Sequence, residues 1–309
     1  MIPILDWQRF ASGQDRNGFV ADLGIAARQT GFFLLKGHGV DPALQREVFD
    51  KADQFFALPP AEKESISILK TPHYRGWAYD GLESLDEASG MADRKESFNM
   101  GLDLAADDPR VLAGDPFRGV NQWPDLPGFR KTMLRYYDAA LALGVKLHRA
   151  IALDLELPEH HFDSAFIDPL AALRVLHYPP GGDAKNEIGA GAHTDYGAIT
   201  LLMTDGEPGL QVKPRGGDWI DVPHVPGAYV VNIGDCLMRW TNDIYVSTPH
   251  RVLRPKNQRR SVAFFVEANP DVIVEALPGT GAPKYPAIRA ADYLQSRLDV
   301  TYNAPAPKS

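Results

Sequence analysis

The chain has 309 residues, 44% of them apolar and 23% charged, a globular balance with length for one large domain or two ordinary ones. A formal net charge of −8, with no basic stretch interleaved with aromatics, argues against a nucleic-acid partner, because phosphate contacts need clustered Lys and Arg. Cys236 is the only cysteine, which excludes an intrachain disulfide and a multi-cysteine metal site and fits a cytoplasmic setting.

The opening segment, MIPILDWQRFASGQDRNGF, has no basic lead before an apolar core, so no signal peptide is expected. RNGFVADLGIAARQTG carries apolar residues at helical spacing, ends on Gly31 and runs into a short strand pattern, FFLLKGHGV. DPALQREVFDKADQFFAL predicts a helix with Asp41 as N-cap and Pro42 at the first helical position. From about residue 71 to 114 the chain is rich in Gly, Asp and small side chains, and long loops with short strands are expected. LPGFRKTMLRYYDAALALGVKLHRAIALDLEL predicts the longest helix, with Phe129, Met133, Tyr137, Leu141, Leu147 and Ile151 on its buried side and a break near Gly144.

From about Ala171 the texture changes to short β-like runs separated by Gly and Pro. LRVLHY, AITLLM, GLQVK, WIDVP, AYVVNIG, HRVLR and RSVAFFVEA are the clearest. Strands this short and this closely spaced indicate an antiparallel sandwich or barrel, not alternating βαβ units. PAIRAADYLQSRLDV returns to a helix pattern, followed by a polar APAPKS tail expected to be disordered. No apolar run approaches the roughly 18 residues of a membrane span, so no membrane partner is expected.

In GAHTDYGAITLLM, a histidine and an aspartate stand two apart just before an apolar run. On a strand, His193 and Asp195 would project to the same side, and a buried carboxylate there needs a charged partner. His250, in YVSTPHRVL, lies at the start of a later strand and offers a second imidazole. Two imidazoles and one carboxylate bind Fe(II) on one face and leave up to three positions open. A surface turn or a satisfied polar pair would use the same His-x-Asp residues. In RRSVAFFVEANP, alternation puts Arg259, Ser261, Ala263 and Phe265 on one face. A guanidinium fork beside a hydroxyl suits a carboxylate, and a strand-end arginine in water is the plainer alternative.

The order HTDYGAITLL, STPHRVL, RRSVAFFVEANP resembles the isopenicillin N synthase-like Fe(II)/2-oxoglutarate-dependent dioxygenases. IPILDW, RQTGFFLLKGHGV, FFALPPAEKESI, DRKESFNMG, LRVLHYPP and the GD of VVNIGD extend the likeness over nearly the whole chain. The resemblance implies a mainly β fold with flanking helices, a double-stranded β-helix (jelly roll) core framed by N-terminal and C-terminal helices. Residues 1–115 would form a helical and loop cap on the substrate side, 116–302 the long helix plus the jelly-roll core, and 303–309 a polar tail.

The same resemblance makes His193, Asp195 and His250 the iron ligands, with Arg259 and Ser261 holding the distal carboxylate of 2-oxoglutarate. Tyr178 matches a position that touches this cosubstrate, although many plant members have asparagine two residues earlier, where this chain has Leu176. With O2, the implied reaction releases succinate and CO2 and hydroxylates or desaturates a small-molecule substrate. Tyr74, Arg75 and Phe98 are the candidate substrate contacts of the first half, joined by Tyr196 and Phe265 nearer the metal. A solvated loop arginine is the alternative for Arg75. Asp235 is expected to serve as turn chemistry and Cys236 as a small packed side chain. No oligomeric state is implied. An Fe(II) oxidase of the same fold that does not use 2-oxoglutarate, ethylene-forming breakdown of 2-oxoglutarate, and a non-catalytic jelly-roll ligand binder are the competing functions.

Overall fold

The structure, a computed structural model, describes residues 1–86, 89–115, 117–181 and 187–303. The first half contributes strands β1 (Ile4–Asp6), β2 (Phe32–Lys36), β3 (Gly76–Ala78) and β4 (Glu96–Gly101). The second half supplies β5 (Ala172–Tyr178), β6 (Ile188–His193), β7 (Ile199–Thr204), β8 (Leu210–Val212), β9 (Ile220–Asp221), β10 (Tyr229–Ile233), β11 (His250–Leu253) and β12 (Arg259–Val266). A large sheet runs β1-β2-β10-β7-β12-β5-β4-β3 and a smaller one β6-β11-β8-β9. From β5 onward the chain passes back and forth between the two sheets, which is jelly-roll connectivity, although the sheets do not close into a barrel.

Alternation along each strand of the large sheet divides two cores. Leu173, Val175, Leu201, Met203, Val262 and Phe264 face the helices and join one buried cluster. Their neighbours Leu176, Tyr178, Val230 and Ala263 face the small sheet and pack with Ala190, Leu210, Val212 and Val252. Polar residues that share this inner parity, among them Thr200, Asn232, Arg259 and Ser261, are thereby buried between the sheets.

Three long helices cover the outer face of the large sheet. Arg16–Gln29 is capped by Asp15, whose side chain accepts from Gly18 N at 3.1 Å. Pro42–Phe56 carries the expected Asp41 cap, with Ala43 N donating at 2.8 Å and Pro42 in the first turn. Phe129–Asp154 is one unbroken helix, contrary to the break expected near Gly144. Gly144 serves close approach instead: a Cβ there would lie 2.6 Å from Cγ2 of Val266 on β12. Phe129, Met133, Tyr137, Leu147 and Ile151 are buried as expected, while Leu141 sits at the edge of the stripe and is half-buried.

The C-terminal helix begins at Ala290 and runs to Asn303. It starts later than PAIR suggests, because Ile288–Arg289 pairs with Ile273–Val274 as a two-stranded ribbon. The APAPKS tail lies outside the described residues. No helix among the described residues is long and apolar enough to cross a membrane.

Candidate metal and cosubstrate site

His193 closes β6 and His250 opens β11, and the two residues face each other across the antiparallel pair. Their rings lie 4.3 Å apart. Asp195 does not continue the strand, as simple alternation had suggested, but sits on the corner where the chain crosses to the large sheet. The corner turns Asp195 inward, with its carbonyl accepting from Asp235 N at 2.8 Å. Oδ1 of Asp195 is 3.8 Å from His193 Nε2 and 3.6 Å from His250 Nε2.

The surroundings fix which atoms are offered. Nδ1 of His193 lies 2.7 Å from Gly191 O and Nδ1 of His250 lies 3.2 Å from Thr248 O. A carbonyl only accepts, so each Nδ1 carries a proton and Nε2 is the nitrogen each ring turns toward Asp195. Oδ2 of Asp195 accepts from Thr200 Oγ1 at 2.5 Å and Asn232 Nδ2 at 2.7 Å, leaving Oδ1 for the space between the imidazoles. Burial, with repulsion from His250 second, pushes the His193 imidazole down to about 3, so this ring is neutral. Burial works to raise the Asp195 carboxyl, but the facing imidazoles and its two hydrogen bonds outweigh it and keep the acid ionised.

Among the described residues, no lysine or arginine pairs with Asp195. Two imidazole nitrogens and one carboxylate oxygen, all within 4.8 Å of one another, therefore fit a divalent cation. Arg259, the first residue of β12, has the opposite need. It is 1% exposed, donates from Nη1 to Ser261 Oγ at 3.3 Å, and leaves Nε without a partner among the described residues. Its Cζ lies 4.9 Å from the Tyr178 ring, its cross-strand neighbour. A buried guanidinium with no acidic partner among the described residues calls for an anion. One cavity between the sheets joins the two demands, lined by His193, Asp195, His250, Tyr178, Arg259 and Ser261.

A second cavity opens from the triad on the side of the C-terminal helix, whose Leu294 and Leu298 close it. Tyr74, Arg75, Tyr196 and Phe265 all line it. Phe98 does not: on β4 it points to the helix side, fully buried, with Phe55 at 5.2 Å and Phe129 at 5.0 Å. Its neighbour Asn99, of opposite parity, lines the cavity instead. Arg75 is not a solvated loop residue. It is buried, donates from Nη2 to Phe117 O at 3.0 Å, and burial pushes its guanidinium down to about 10.

Several residues escaped the sequence pattern. Lys95 lines the first cavity and pairs with Asp93 at 2.5 Å and Glu83 at 2.9 Å. Glu267 lines the second cavity and extends the inward parity of Arg259, Ser261, Ala263 and Phe265 by one more step, a signal present in the sequence. Burial, with the charge of Asp195 second, pushes its carboxyl up to about 8. Asp235 does more than shape a turn: its Oδ2 accepts from Thr194 Oγ1 at 3.1 Å and from Tyr293 OH at 3.0 Å, tying the C-terminal helix to the corner that carries Asp195. Cys236 is a buried packing residue, and burial pushes its thiol up.

A jelly roll with a His-Asp-His cluster and an unpaired arginine at the far end of one cavity is the arrangement of a non-haem iron oxygenase that uses an oxo-acid. Comparison with known proteins agrees. Residues 2–126 match the family described as non-haem dioxygenase in morphine synthesis N-terminal, and residues 169–268 match the 2OG-Fe(II) oxygenase superfamily. The 2-oxoglutarate-Fe(II) type oxidoreductase hxnY of Emericella nidulans is 38% identical, covering 97% of this chain and 90% of its own. Homoarginine-6-hydroxylase 2-ODD-C23.1 of Arabidopsis thaliana is 34% identical over 89% of this chain and 87% of its own. A full-length Neurospora crassa protein crystallised in complex with alpha-KG superposes with a TM-score of 0.86 at 34% identity, covering 97% of this chain and 96% of that one. The chain belongs to the 2-oxoglutarate/Fe(II)-dependent oxygenases. It is a dioxygenase of that family, with Fe(II) as cofactor and 2-oxoglutarate and O2 as cosubstrates.

Proposed function

We propose that His193, Asp195 and His250 hold the iron, that Arg259 and Ser261 with Tyr178 hold 2-oxoglutarate, and that the second cavity receives a small organic substrate. The observation that carries this assignment is the pairing of unmet charges in one cavity: an ionised Asp195 without a cationic side chain and a buried Arg259 without an acid. When bound, Fe(II) supplies the activation of O2 that couples decarboxylation of 2-oxoglutarate to substrate oxidation, with release of succinate and CO2.

The protein's own side chains do the rest. Arg259 presents a planar fork to the distal carboxylate, Ser261 adds a hydroxyl, and the guanidinium rests over the Tyr178 ring. Thr200 and Asn232 keep the Asp195 carboxylate turned so that one oxygen faces the imidazoles. Phe265 lines both cavities, between cosubstrate and substrate, and Leu294 and Leu298 limit water on the substrate side. The Neurospora crassa protein has also been crystallised with alpha-KG and thymine, which supports a compact substrate here. The lone buried Cys236 supports a cytoplasmic setting.

The test is anaerobic loading with Fe(II) and 2-oxoglutarate, read by the metal-to-ligand charge-transfer absorption, followed by oxygen and measurement of succinate. The parent protein develops the band and forms succinate, and Arg259→Ala loses most of both. A parent protein that binds no 2-oxoglutarate overturns the assignment.

A further inference from the structure

Besides Asp195 of the His-Asp-His cluster, the described residues lining the cavity on the substrate side include three polar side chains more than nine-tenths buried: Arg75, Asn99 and Glu267, at 6%, 6% and 8% exposure. Glu267 makes no hydrogen bond or ion pair with any described residue. Arg75 spends one Nη2 bond on Phe117 O, and its Nε has no partner among the described residues. Oδ1 of Asn99 accepts from Arg174 Nε at 3.0 Å and Ser97 Oγ at 3.1 Å, so the Nδ2 end is the one without a partner among the described residues. Buried polar groups are costly to leave unmet, and three such groups on one cavity describe what the cavity is built to receive.

Their chemistry is complementary. Arg75 and Asn99 are donors, and Glu267 is the acceptor. Arg75 and Glu267 line the same cavity without forming an ion pair, so both keep hydrogen-bonding capacity for a ligand. A substrate carboxylate supplies acceptors only and leaves an acceptor oxygen of Glu267 without a donor, and a substrate ammonium would meet the charge of Arg75. A neutral group that donates and accepts along one edge satisfies all three. Tyr74, Phe117, Tyr196 and Phe265 add flat apolar surface around it.

Resting on the oxygenase assignment above, we propose that the prime substrate is a neutral planar molecule read through an amide-type edge (carboxamide, lactam, imide or ureide). Glu267 takes its N–H, and Asn99 and Arg75 donate to its carbonyl. Glu267 is then a specificity-determining residue on the same strand face that holds the cosubstrate.

The experiment uses the full chain loaded anaerobically with Fe(II) and 2-oxoglutarate, titrated with benzamide, 2-pyridone, benzoate and benzylamine. Perturbation of the charge-transfer band reports occupancy of the substrate side. The two neutral amides are expected to perturb the band at concentrations at least about tenfold below benzoate and benzylamine. Glu267→Met is expected to weaken the amides about tenfold or more with 2-oxoglutarate affinity unchanged, and Glu267→Gln to recover part of the loss. Equal or tighter binding of benzoate or benzylamine, amides without effect, or a Glu267→Met protein that binds amides like the parent would overturn the proposal. If Glu267→Met loses the band itself, Asn99→Leu carries the same comparison. A parent protein with no band at all would instead defeat the oxygenase assignment, and this inference with it.

Discussion

Asn232 Nδ2 donates to Oδ2 of Asp195 at 2.7 Å, from a strand of the large sheet to a corner that belongs to the small one. With Thr200 at 2.5 Å from the same oxygen, it fixes which carboxylate oxygen is free for a cation. Replacing either donor leaves the ligands in place but frees the carboxylate to rotate. Asn232→Leu and Thr200→Val should each lower Fe(II) affinity about 10- to 100-fold, measured by anaerobic metal titration. Affinity unchanged in both would show that the carboxylate orientation does not matter.

Arg259 should not tolerate a change that keeps charge but loses shape. Lysine cannot reproduce the fork beside Ser261 or place a guanidinium over the Tyr178 ring. Arg259→Lys is expected to weaken 2-oxoglutarate about tenfold and Arg259→Ala about 100-fold, with metal affinity retained. Titration of 2-oxoglutarate against the charge-transfer band checks the order of the two variants.

The contact between Gly144 and Val266 joins the long helix to the strand that carries Arg259 and Ser261. Gly144→Ala would push a methyl group into Val266 and should cost about 1–3 kcal/mol of stability through overpacking. Val266→Ala made on top of it should return part of that loss, so the two changes are not additive. Urea unfolding of the two single variants and the double variant measures the coupling.

His148 sets an acid limit on stability away from the site. It is fully buried against Phe162 and Phe166, its Nδ1–H donates to Gly144 O at 2.8 Å, and burial pushes its imidazole down to about 4 from 6.5. The folded state therefore refuses a proton that the unfolded chain accepts. Its contribution is complete above pH 6.5 and is lost as the pH falls toward 4, about 3 kcal/mol over that window. A His148→Leu protein should lose less stability between those two pH values than the parent does, as read by unfolding midpoints. Equal losses would assign the acid sensitivity to other groups.

Much of this architecture is legible in residue order alone. Period-two alternation in RRSVAFFVEANP puts Arg259, Ser261 and Phe265 on one face, and the structure keeps that face between the sheets. Asp41 and Pro42 announce their helix through capping chemistry that needs no tertiary partner. Where local signals failed, long-range packing decided. Gly144 looked like a break, but a distant strand needs the space its missing side chain provides. Phe98 looked like a pocket aromatic, yet the parity of β4 turns it to the helices and offers Asn99 to the cavity. Thr200 and Asn232 lie on separate strands that meet Asp195 only after the sheet has formed, so no spacing rule reveals them. Glu267 is different: the same alternation reaches it, one step past Phe265.

The proposed chemistry stands or falls with three side chains from the sheet edge and corner holding one iron, while Arg259 receives the far end of 2-oxoglutarate. A crystal grown anaerobically with Fe(II) and 2-oxoglutarate, with anomalous data collected at the iron edge, examines both at once. The expected map has a single strong iron peak bonded to Nε2 of His193, Oδ1 of Asp195 and Nε2 of His250, with a carboxylate of 2-oxoglutarate on the Arg259 guanidinium. An iron peak away from these three atoms, or a 2-oxoglutarate that leaves Arg259 unpaired, would refute the assignment.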